Sequence, residues 1–424
     1  MREMKDSGIE WIGEIPADWE VSTIKREYVF QTGWTPDTTH EEYFVGENIW
    51  INISDMKSKV LYDSEKHISD EAVRLASMNI SPKGSLLYAF KLSVGAVSFC
   101  GIDMYTNEAI ATFLPGKNNL RFLYYTAPIF IIKNANENIY GAKLLNQKLI
   151  RNAKIVIPPL EVQKRIVDYL DRKCSQIDAI IARQQEVIEK LKAYKLSVIT
   201  EAVTKGLNPD VSMKDSGVEW IGEIPEHWDF RKIKNCCLIV DCKNRTPDPD
   251  PDGEYIVVRT TCIRDGSFSY EGSYHTNAEN FKEWTAKGQP QHGDIFFTRE
   301  APMGEACLVP DADNLCMGQR VMFFRPLDGS DPRYILYSIY GPLAREYIDC
   351  KNKGSTVGHL KLGQVASLPL FYCPPKEQSE IADYLDKRCG AIDKVVEKKA
   401  EIISKLTDYK KSLIYEVVTG KKEV

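Results

Sequence analysis

The strongest constraint on how this chain can fold is that it carries one peptide twice. MKDSGIEWIGEIPADW occupies residues 4–19 and MKDSGVEWIGEIPEHW occupies residues 213–228, with thirteen of sixteen positions identical at a constant offset of 209. A length of 424 residues also exceeds what a single hydrophobic core usually serves. The sequence therefore predicts two similar structural units, each of which begins with this peptide.

A second repeat closes each half of the chain. PPLEVQKRIVDYLDRKC begins at Pro158 and PPKEQSEIADYLDKRC begins at Pro374, with an offset of 215 from Asp168 onward. The first copy reads one residue longer between its two prolines and its glutamine, which suggests an insertion there. We predict a first globular domain over 1–157, a central helical spacer over 158–207, a second globular domain over 208–373 and a C-terminal helical spacer over 374–424.

Both spacers carry apolar residues at coiled-coil spacing. Each follows a Pro-Pro pair, which suits the start of a helix better than its interior. Apolar residues then recur every seven positions, with a second set four residues further on. We expect the two helices to pair antiparallel through an interface made of Leu170, Ile177, Ile181, Ile188, Leu191, Leu385, Ile392, Val396, Ile403 and Leu406.

Two polar residues interrupt this apolar pattern at the same heptad, Gln184 in the first helix and Lys399 in the second. They are either tolerated surface residues or a device that sets the register of the helix pair. A helix over residues 159–204 would be roughly 65 Å long, at about 1.5 Å per residue. Such a helix is a spacer rather than an ordinary core element.

The regions between the repeats, about 20–157 and 229–373, predict mixed α/β domains. Short β-branched and aromatic runs bounded by Gly and Pro are typical of strands. Residues 118–132 and 331–348 are predicted as short helices. The expected fold class is therefore α/β (mixed α+β), with two globular domains separated by two long helices that form an antiparallel coiled coil, in a pseudo-twofold internal repeat.

The charge of the chain is concentrated in the repeated peptide. The formal net charge is −5, but residues 1–19 carry −3 and residues 208–228 carry −4, so the remainder is mildly basic at +2. Global charge thus neither supports nor excludes nucleic-acid binding. The repeated peptide itself is expected to act as a clasp that seats each domain on the helices, because its carboxylates would repel phosphate.

Several classes of chemistry have no sequence signature in this chain. It has no G-x-x-x-x-G-K-[ST] or G-x-G-x-x-G loop, and no H-E-x-x-H or C-x-x-C pair, so we expect no metal and no cofactor in this chain. Cys236, Cys237 and Cys242 are better explained as packed thiols, and residues 247–254 as an exposed turn. Scattered cysteines, no apolar run of about 18 residues and no signal peptide predict a cytoplasmic protein with reduced thiols.

The motifs together resemble one family. Each globular domain opens with IGEIPxxW, at residues 12–19 and 221–228, and each closes with PPxxEQ-like sequence running into I-x-x-Y-L-D. This organisation, over essentially the whole chain, is similar to the specificity (S) subunit of a Type I restriction–modification enzyme. The resemblance implies a non-catalytic subunit in which each globular domain is a target recognition domain that reads one half of a split DNA sequence.

The resemblance also implies partners. The paired helices would set the distance between half-sites and dock two modification (M) subunits, which methylate adenine in double-stranded DNA. Restriction (R) subunits would join to form the endonuclease. S-adenosylmethionine is expected in the M partner, and ATP and Mg²⁺ in the R partner. No membrane association is expected.

Candidate DNA contacts are polar and basic residues on the predicted loops, because such side chains bind base edges and phosphates. In the first domain they are Gln31, Thr35, Lys57, Lys59, Lys91 and Lys143. In the second domain they are Lys243, Asn244, Arg245, Arg259, Arg264, Arg299, Lys351, Lys353, Ser355 and Thr356. Any single one of them could equally be a solvated surface residue.

Two other functional classes stay open at this point. A protein–protein scaffold without DNA binding would show no salt-dependent affinity for a duplex, even together with an M partner. A nuclease or methyltransferase in its own right would cleave or methylate DNA as a purified chain, and the missing motifs argue against it.

Overall fold

The computed structural model describes residues 2–137, 143–327, 329–352 and 358–424. The chain forms two compact units. The first consists of residues 1–183 and 402–424, and the second of residues 184–401. Each unit thus contains one of the globular regions together with part of each long helix. Within the described residues, no helix combines the length and the hydrophobicity that a membrane crossing would require.

The first globular region is built from short strands and helices, and the long helix α5 follows it. Its strands are Met4–Asp6 (β1), Glu14–Pro16 (β2), Glu20–Thr23 (β3), Phe30–Thr32 (β4), Asn48–Ile51 (β5), Val60–Leu61 (β6), His67–Ile68 (β7), Leu86–Ala89 (β8), Val97–Cys100 (β9), Tyr105–Thr106 (β10), Ile110–Phe113 (β11), Asn136–Glu137 (β12), Lys143–Leu144 (β13) and Lys154–Ile157 (β14). Its α-helices are Ile24–Glu27 (α1), Asp70–Leu75 (α2), Leu120–Phe130 (α3), Gln147–Asn152 (α4) and Leu160–Lys205 (α5).

The second globular region repeats this order, and the long helix α10 follows it. Its strands are Met213–Asp215 (β15), Glu223–Pro225 (β16), Asp229–Lys232 (β17), Cys237–Val240 (β18), Tyr255–Val258 (β19), Ile263–Arg264 (β20), Ser267–Phe268 (β21), Tyr274–Thr276 (β22), Ile295–Thr298 (β23), Ala306–Leu308 (β24), Leu315–Met317 (β25), Val321–Pro326 (β26) and Pro369–Tyr372 (β27). Its α-helices are Ala278–Trp284 (α6), Pro332–Tyr340 (α7), Pro342–Asn352 (α8), Leu362–Ala366 (α9) and Pro375–Val418 (α10).

The two globular regions share a sheet topology. The central sheet has the order β4-β11-β8-β9-β6 in the first unit and β18-β26-β23-β24 in the second. A smaller sheet contains a parallel pair in each case, β10 with β5 and β19 with β25. The strands of the central sheet are short, apolar and buried, as in LLYA of β8 and IFFT of β23. The mixed α/β fold and the short helices at 118–132 and 331–348 are therefore confirmed, the latter as α3, α7 and α8.

Within each unit the two long helices run antiparallel. In the second unit Gln184 of α5 contacts Lys399 of α10, and Lys195 of α5 contacts Asp393 of α10. Residue numbers thus increase along α5 as they decrease along α10. In the first unit Asp178 of α5 pairs with Lys410 of α10. These two ion pairs are equivalent under the offset of 215, and their N–O distances are both 2.7 Å.

The structure places all ten predicted interface residues at buried or half-buried positions of the long helices. Leu170 and Leu385 are fully buried, and Ile177, Ile188 and Ile392 are 9% exposed or less. Ile181 and Leu406 pack against one core cluster of the first unit. Leu191, Val396 and Ile403 are half-buried.

Gln184 and Lys399 bond to each other. Lys399 Nζ donates to Gln184 Oε1 over 2.8 Å, and both side chains are half-buried. Because the two residues are equivalent under the offset of 215, this contact joins the same position of the two repeats. A Lys opposite a Gln is complementary, whereas two lysines at this place would repel each other. The pair thus has the properties of a register device.

A buried glutamine at the start of each long helix ties it to its globular region. Gln163 and Gln378, both at most 1% exposed, accept from the backbone N–H of Asn119 and Asp331, 3.0 Å away in each case. Their amide groups donate to the carbonyls of Pro158 and Cys373. An unsatisfied buried N–H at these sites would be costly, so the glutamine positions α3 and α7 against the long helices.

These hydrogen bonds also correct one reading of the sequence. Since Pro158 corresponds to Cys373, the offset of 215 already holds at β14 and β27, and no residue is inserted in the first copy. The Pro-Pro pair is displaced by one position instead. In consequence the residue equivalent to Glu377 is Val162 and not Glu161.

The repeated peptide contacts the ends of the long helices. In the first unit Tyr415, near the end of α10, and Lys421, just beyond it, donate to the carbonyls of Trp11 and Ile12 over 2.8 and 2.6 Å. In the second unit Lys205, at the end of α5, donates to the carbonyl of Ile221 over 3.2 Å. The glycines of the peptide have φ between 66° and 72°, which explains why they recur.

The Gln184–Lys399 contact leads to a prediction about pairing specificity. Replacing both residues by Leu should raise the free energy of unfolding by about 1–2 kcal/mol, because the seam becomes apolar, and should also promote self-association, because the register signal is lost. Urea unfolding and light scattering measure the two effects. The double variant Gln185→Leu/Lys398→Leu adds the same atoms at exposed positions and should not be stabilised. A destabilised seam variant that stays monomeric would contradict the prediction.

Candidate nucleic-acid interface

Three loops meet at one end of the central sheet in the first unit. They follow β4, join β8 to β9, and precede β11. The Thr35 hydroxyl donates to the Glu108 carboxylate, and Lys91 Nζ lies 3.5 Å from the same carboxylate. Gln31 Nε2 donates to the carbonyl of Ile80 over 2.7 Å. The antiparallel pairing thus brings residues more than seventy positions apart into one cluster, as with Thr35 and Glu108.

The equivalent three loops meet in the second unit, after β18, between β23 and β24, and before β26. The backbone N–H of Gln319 donates to Thr246 Oγ1 over 3.4 Å, and its side-chain amide donates to the carbonyl of Asn244 over 3.0 Å. The N–H of Arg299 donates to the carbonyl of Arg320 over 2.9 Å. We call each set of three loops a strand-end cluster: residues 33–37, 90–96 and 107–109 in the first unit, and residues 241–247, 299–305 and 318–320 in the second.

The two strand-end clusters share backbone features. Leu92 and Ala301, at equivalent positions under the offset of 209, both adopt left-handed backbone, with φ of 55° and 54°. Such a conformation is unfavourable for residues other than Gly, and strain of this kind concentrates at functional sites. Trp34 and Arg245 are also equivalent, and the carbonyl of each accepts an indole N–H, over 3.0 and 3.1 Å.

The side chains of the two clusters differ. Glu283 in the second unit accepts from Lys243 and from Arg245, each over 2.6 Å, and both cations lie 4.8 Å from the ring of Trp284. The hydrogen bond from Lys243 holds the pKa of the Glu283 carboxyl below its ordinary value. Two cations around one carboxylate leave a net positive charge, and 68% of the Arg245 side chain is exposed.

Arg299 is held more firmly. Its guanidinium donates to both carboxylate oxygens of Asp241, over 2.9 and 2.8 Å, and its side chain is only 12% exposed. Its Nε has no acceptor within the described residues. Beside it Arg320 pairs with Glu300 over 2.5 Å. Arg299 therefore holds its loop in place through the ion pair with Asp241.

The remaining candidates make none of the contacts described above or are engaged elsewhere. Lys57, Arg259 and Arg264 are exposed. Lys143 forms an ion pair with Glu137 across the β12–β13 hairpin. Lys351 Nζ lies 5.4 Å from the ring centroid of Tyr347. Lys353, Ser355 and Thr356 lie outside the described residues.

Lys59 belongs to a junction between the globular region and α5. Its Nζ donates to Asp171 over 2.8 Å and lies 5.2 Å from the Tyr124 ring. Arg121 and the hydroxyl of Tyr125 donate to the same carboxylate. Burial tends to raise the pKa of Asp171, but the hydrogen bonds from Lys59, Tyr125 and Arg121 prevail and lower it to about 2.

The second unit has the same junction. Asp386, equivalent to Asp171, accepts from Arg333 and from the hydroxyl of Tyr337, each over 2.8 Å. Arg333 and Tyr337 stand at the places of Arg121 and Tyr125, at a common offset of 212. The aspartate of the repeated Y-L-D motif therefore anchors each globular region to its long helix.

The sequence interpretation missed these acidic partners. Glu108, Glu283 and Asp171 hold predicted basic or polar residues, and Asp386 is the counterpart of Asp171, yet none of the four stood out as a site residue. Asp171 and Asp386 had a usable signal, because both belong to the repeat. Glu108 and Glu283 had none, since neither is close in sequence to the side chains that it binds.

The cysteines are packed thiols. Ten of the eleven are buried, including Cys236, Cys237 and Cys242. Burial raises the pKa of the Cys237 and Cys242 thiols, which disfavours the thiolate that binds metals. Among the described residues, no three His, Cys, Asp or Glu side chains are grouped in a way that could hold a metal ion.

Comparisons with known proteins agree with this architecture. The family described as Type I restriction modification DNA specificity domain matches residues 16–190 and 225–404. The chain is 28% identical over 380 residues to the Type I restriction enzyme MjaIX specificity subunit of Methanocaldococcus jannaschii, covering 86% of this chain and 85% of that protein. It is 20% identical over 361 residues to the EcoBI specificity subunit of Escherichia coli, covering 80% and 75%.

A solved structure shows the same fold. One chain from work on complex assembly and conformational transition of the type I R-M system matches with a TM-score of 0.70 at 14% sequence identity, over 96% of this chain and 99% of that chain. The protein belongs to the Type I restriction modification DNA specificity domain family, and its class is that of a non-catalytic specificity subunit.

The Asp171 junction predicts a pH dependence. A carboxyl whose pKa falls from 3.8 unfolded to about 2 folded stabilises the fold above pH 3.8, and this contribution is lost as the pH falls toward 2. Asp171→Asn should therefore cost about 1–2 kcal/mol of unfolding free energy at neutral pH, and the difference from the wild type should shrink below pH 4.

Urea unfolding as a function of pH measures this difference. Asp168→Asn is the matched control, because Asp168 lies one turn earlier on α5 and is 74% exposed. The control should change stability little at any pH. An Asp171→Asn effect that persists unchanged at pH 2 would refute the electrostatic origin.

Proposed function

We propose that this chain directs a Type I restriction–modification system to a bipartite, asymmetric DNA target. Each globular region is a target recognition domain that reads one half of the target with its strand-end cluster. In that system the chain acts as the non-catalytic specificity subunit. The reaction that it directs is adenine methylation by M subunits and, with R subunits, restriction.

The observation that carries the proposal is the contrast between backbone and side chains in the two clusters. The same three loops recur with the same left-handed residue, Leu92 or Ala301, and the same Thr, Thr35 or Thr246. The side chains that they present differ, as with Trp34 in place of Arg245. Base edges are distinguished by the donors and acceptors that meet them, so unlike side chains on one scaffold would read unlike half-sites.

The helix pair supplies the rest of the proposed mechanism. Antiparallel copies of one sequence present nearly equivalent surfaces, which suits two copies of an M subunit. The long helices would set the spacing of the half-sites, which for contacts in successive major grooves is about 34–36 Å. The M subunits would bind S-adenosylmethionine and take the target adenine out of the duplex, and the R subunits would bind ATP and Mg²⁺.

Exchanging one recognition domain tests the modular reading. With residues 20–157 replaced by the corresponding segment of another family member, the methylated motif should change in one half only, because the second cluster is untouched. Genome-wide mapping of N6-methyladenine in a host that also carries the M subunit measures this. An unchanged motif, or a change in both halves, would contradict the assignment.

Arg245 is the sharpest single-residue test of the second cluster. Arg245→Ala should weaken binding of the S–M complex to its target by about 1–3 kcal/mol, and a phosphate contact would also reduce the dependence of log affinity on log salt by about one. Binding isotherms at several salt concentrations measure both. Lys190→Ala, an exposed lysine of α5, is the control and should leave both unchanged. A complex without salt-dependent DNA affinity would favour the scaffold alternative.

A further inference from the structure

A buried tryptophan is satisfied differently in the two repeats. Trp19 and Trp228 end the two copies of the repeated peptide, and both are buried, at 1% and 0% exposed. In the second unit Trp228 Nε1 donates to Glu377 Oε1 over 3.0 Å, and the other oxygen of Glu377 lies 2.8 Å from His227 Nε2. In the first unit Trp19 Nε1 has no acceptor within the described residues.

The cause is a change at two equivalent positions. Val162 stands where the second unit has Glu377, and Asp18 stands where it has His227. The hydrogen bonds of Gln163 and Gln378 establish this equivalence independently of the sequence alignment. The first unit has thus kept the buried indole donor and lost the carboxylate that satisfies it.

A cavity of about 220 Å³ lies beside this tryptophan. Besides Trp19 and Val162 it is lined by three basic residues, Arg2, Arg165 and Lys422, by two acidic residues, Asp18 and Glu423, and by Ile166 and Val424. Arg2 pairs with Asp18 over 2.9 Å, and its guanidinium lies 5.3 Å from the ring centroid of Trp19.

Two of these cations form no ion pair within the part of the chain that the structure describes. Among the described residues, neither Arg165 nor Lys422 has a carboxylate within ion-pair distance, although Glu423 also lines the cavity. Water would satisfy the indole N–H alone, whereas a carboxylate would satisfy the N–H and the cations together.

We propose that this cavity is a carboxylate-binding site that takes the place of the missing Glu377 side chain. The carboxylate comes from a small organic acid or from an acidic side chain of a docked M subunit, and only the second source rests on the proposed function. The site belongs to the first unit alone, because the second unit supplies its own carboxylate.

The indole N–H of Trp19 is a direct reporter of the site. In the full chain labelled with ¹⁵N-tryptophan, acetate should shift the Trp19 indole resonance saturably, toward the position of the Trp228 resonance. Trp228, already bonded to Glu377, should not respond. Single Trp→Phe variants of the other six tryptophans assign the Trp19 signal by elimination, so the test does not depend on a Trp19 variant that folds.

A reciprocal pair of variants provides the control. Val162→Glu supplies the carboxylate internally, so the Trp19 resonance should move without acetate and lose its response to it. Glu377→Val should do the reverse and make the Trp228 resonance respond to acetate. If one of the two variants fails to fold, the other still tests whether a carboxylate at this position determines the response to acetate.

The second source is tested by adding the M subunit without acetate. If the M subunit shifts the Trp19 resonance and Val162→Glu abolishes that shift, the ligand is an acidic side chain of the M subunit. If only acetate shifts the resonance, the ligand is a small organic acid. Either result supports the site. Three outcomes would overturn the proposal: no shift of the Trp19 resonance with acetate or with the M subunit, a shift that rises only linearly with acetate, or a shift that persists in Val162→Glu. None of these outcomes bears on DNA recognition.

Discussion

The antiparallel pairing of two copies of one helix is the constraint on which the rest of the structure depends. Each compact unit is completed by helix segments that are distant in sequence, residues 160–183 with 402–418 in one unit and 184–205 with 375–401 in the other. The equivalent ion pairs of Lys195 and Lys410 show that one set of contacts serves both units. A single helix could not bury its apolar stripe alone, so neither unit is complete without both repeats.

The attachment of each globular region to the helices combines a shared hydrophobic core with specific polar contacts. A buried glutamine satisfies a backbone N–H, and about two helix turns further on an aspartate accepts hydrogen bonds from an arginine and a tyrosine. Leaving the buried glutamine amides unpaired would cost more free energy than their hydrogen bonds contribute, which favours this one orientation. The loops beyond this anchor can then differ in side chains without disturbing the frame.

The positions at which the two repeats differ indicate function, because the backbones of the two units are otherwise so similar. The strand-end clusters keep a threonine at the same place, with the Thr35 hydroxyl donating to the Glu108 carboxylate and Thr246 accepting from the Gln319 N–H, while the neighbouring side chains change. By contrast, Val162 in place of Glu377 changes a buried position and leaves Trp19 without an acceptor. The changes in the strand-end clusters alter which groups the surface can contact. The change from Glu to Val leaves a buried indole N–H that a carboxylate from outside the unit can satisfy.

The sequence by itself determined the duplication, the helix pair, the mixed α/β class and the family, because periodic and repeated patterns report local structure directly. Only the tertiary structure decided which loops meet, that Glu108 and Glu283 hold the predicted polar and basic side chains, and that Lys59 serves the helix junction. It also decided that Val162, and not Glu161, corresponds to Glu377. Such contacts join residues far apart along the chain, and strand order and hydrogen-bond register, which no local period encodes, bring them together.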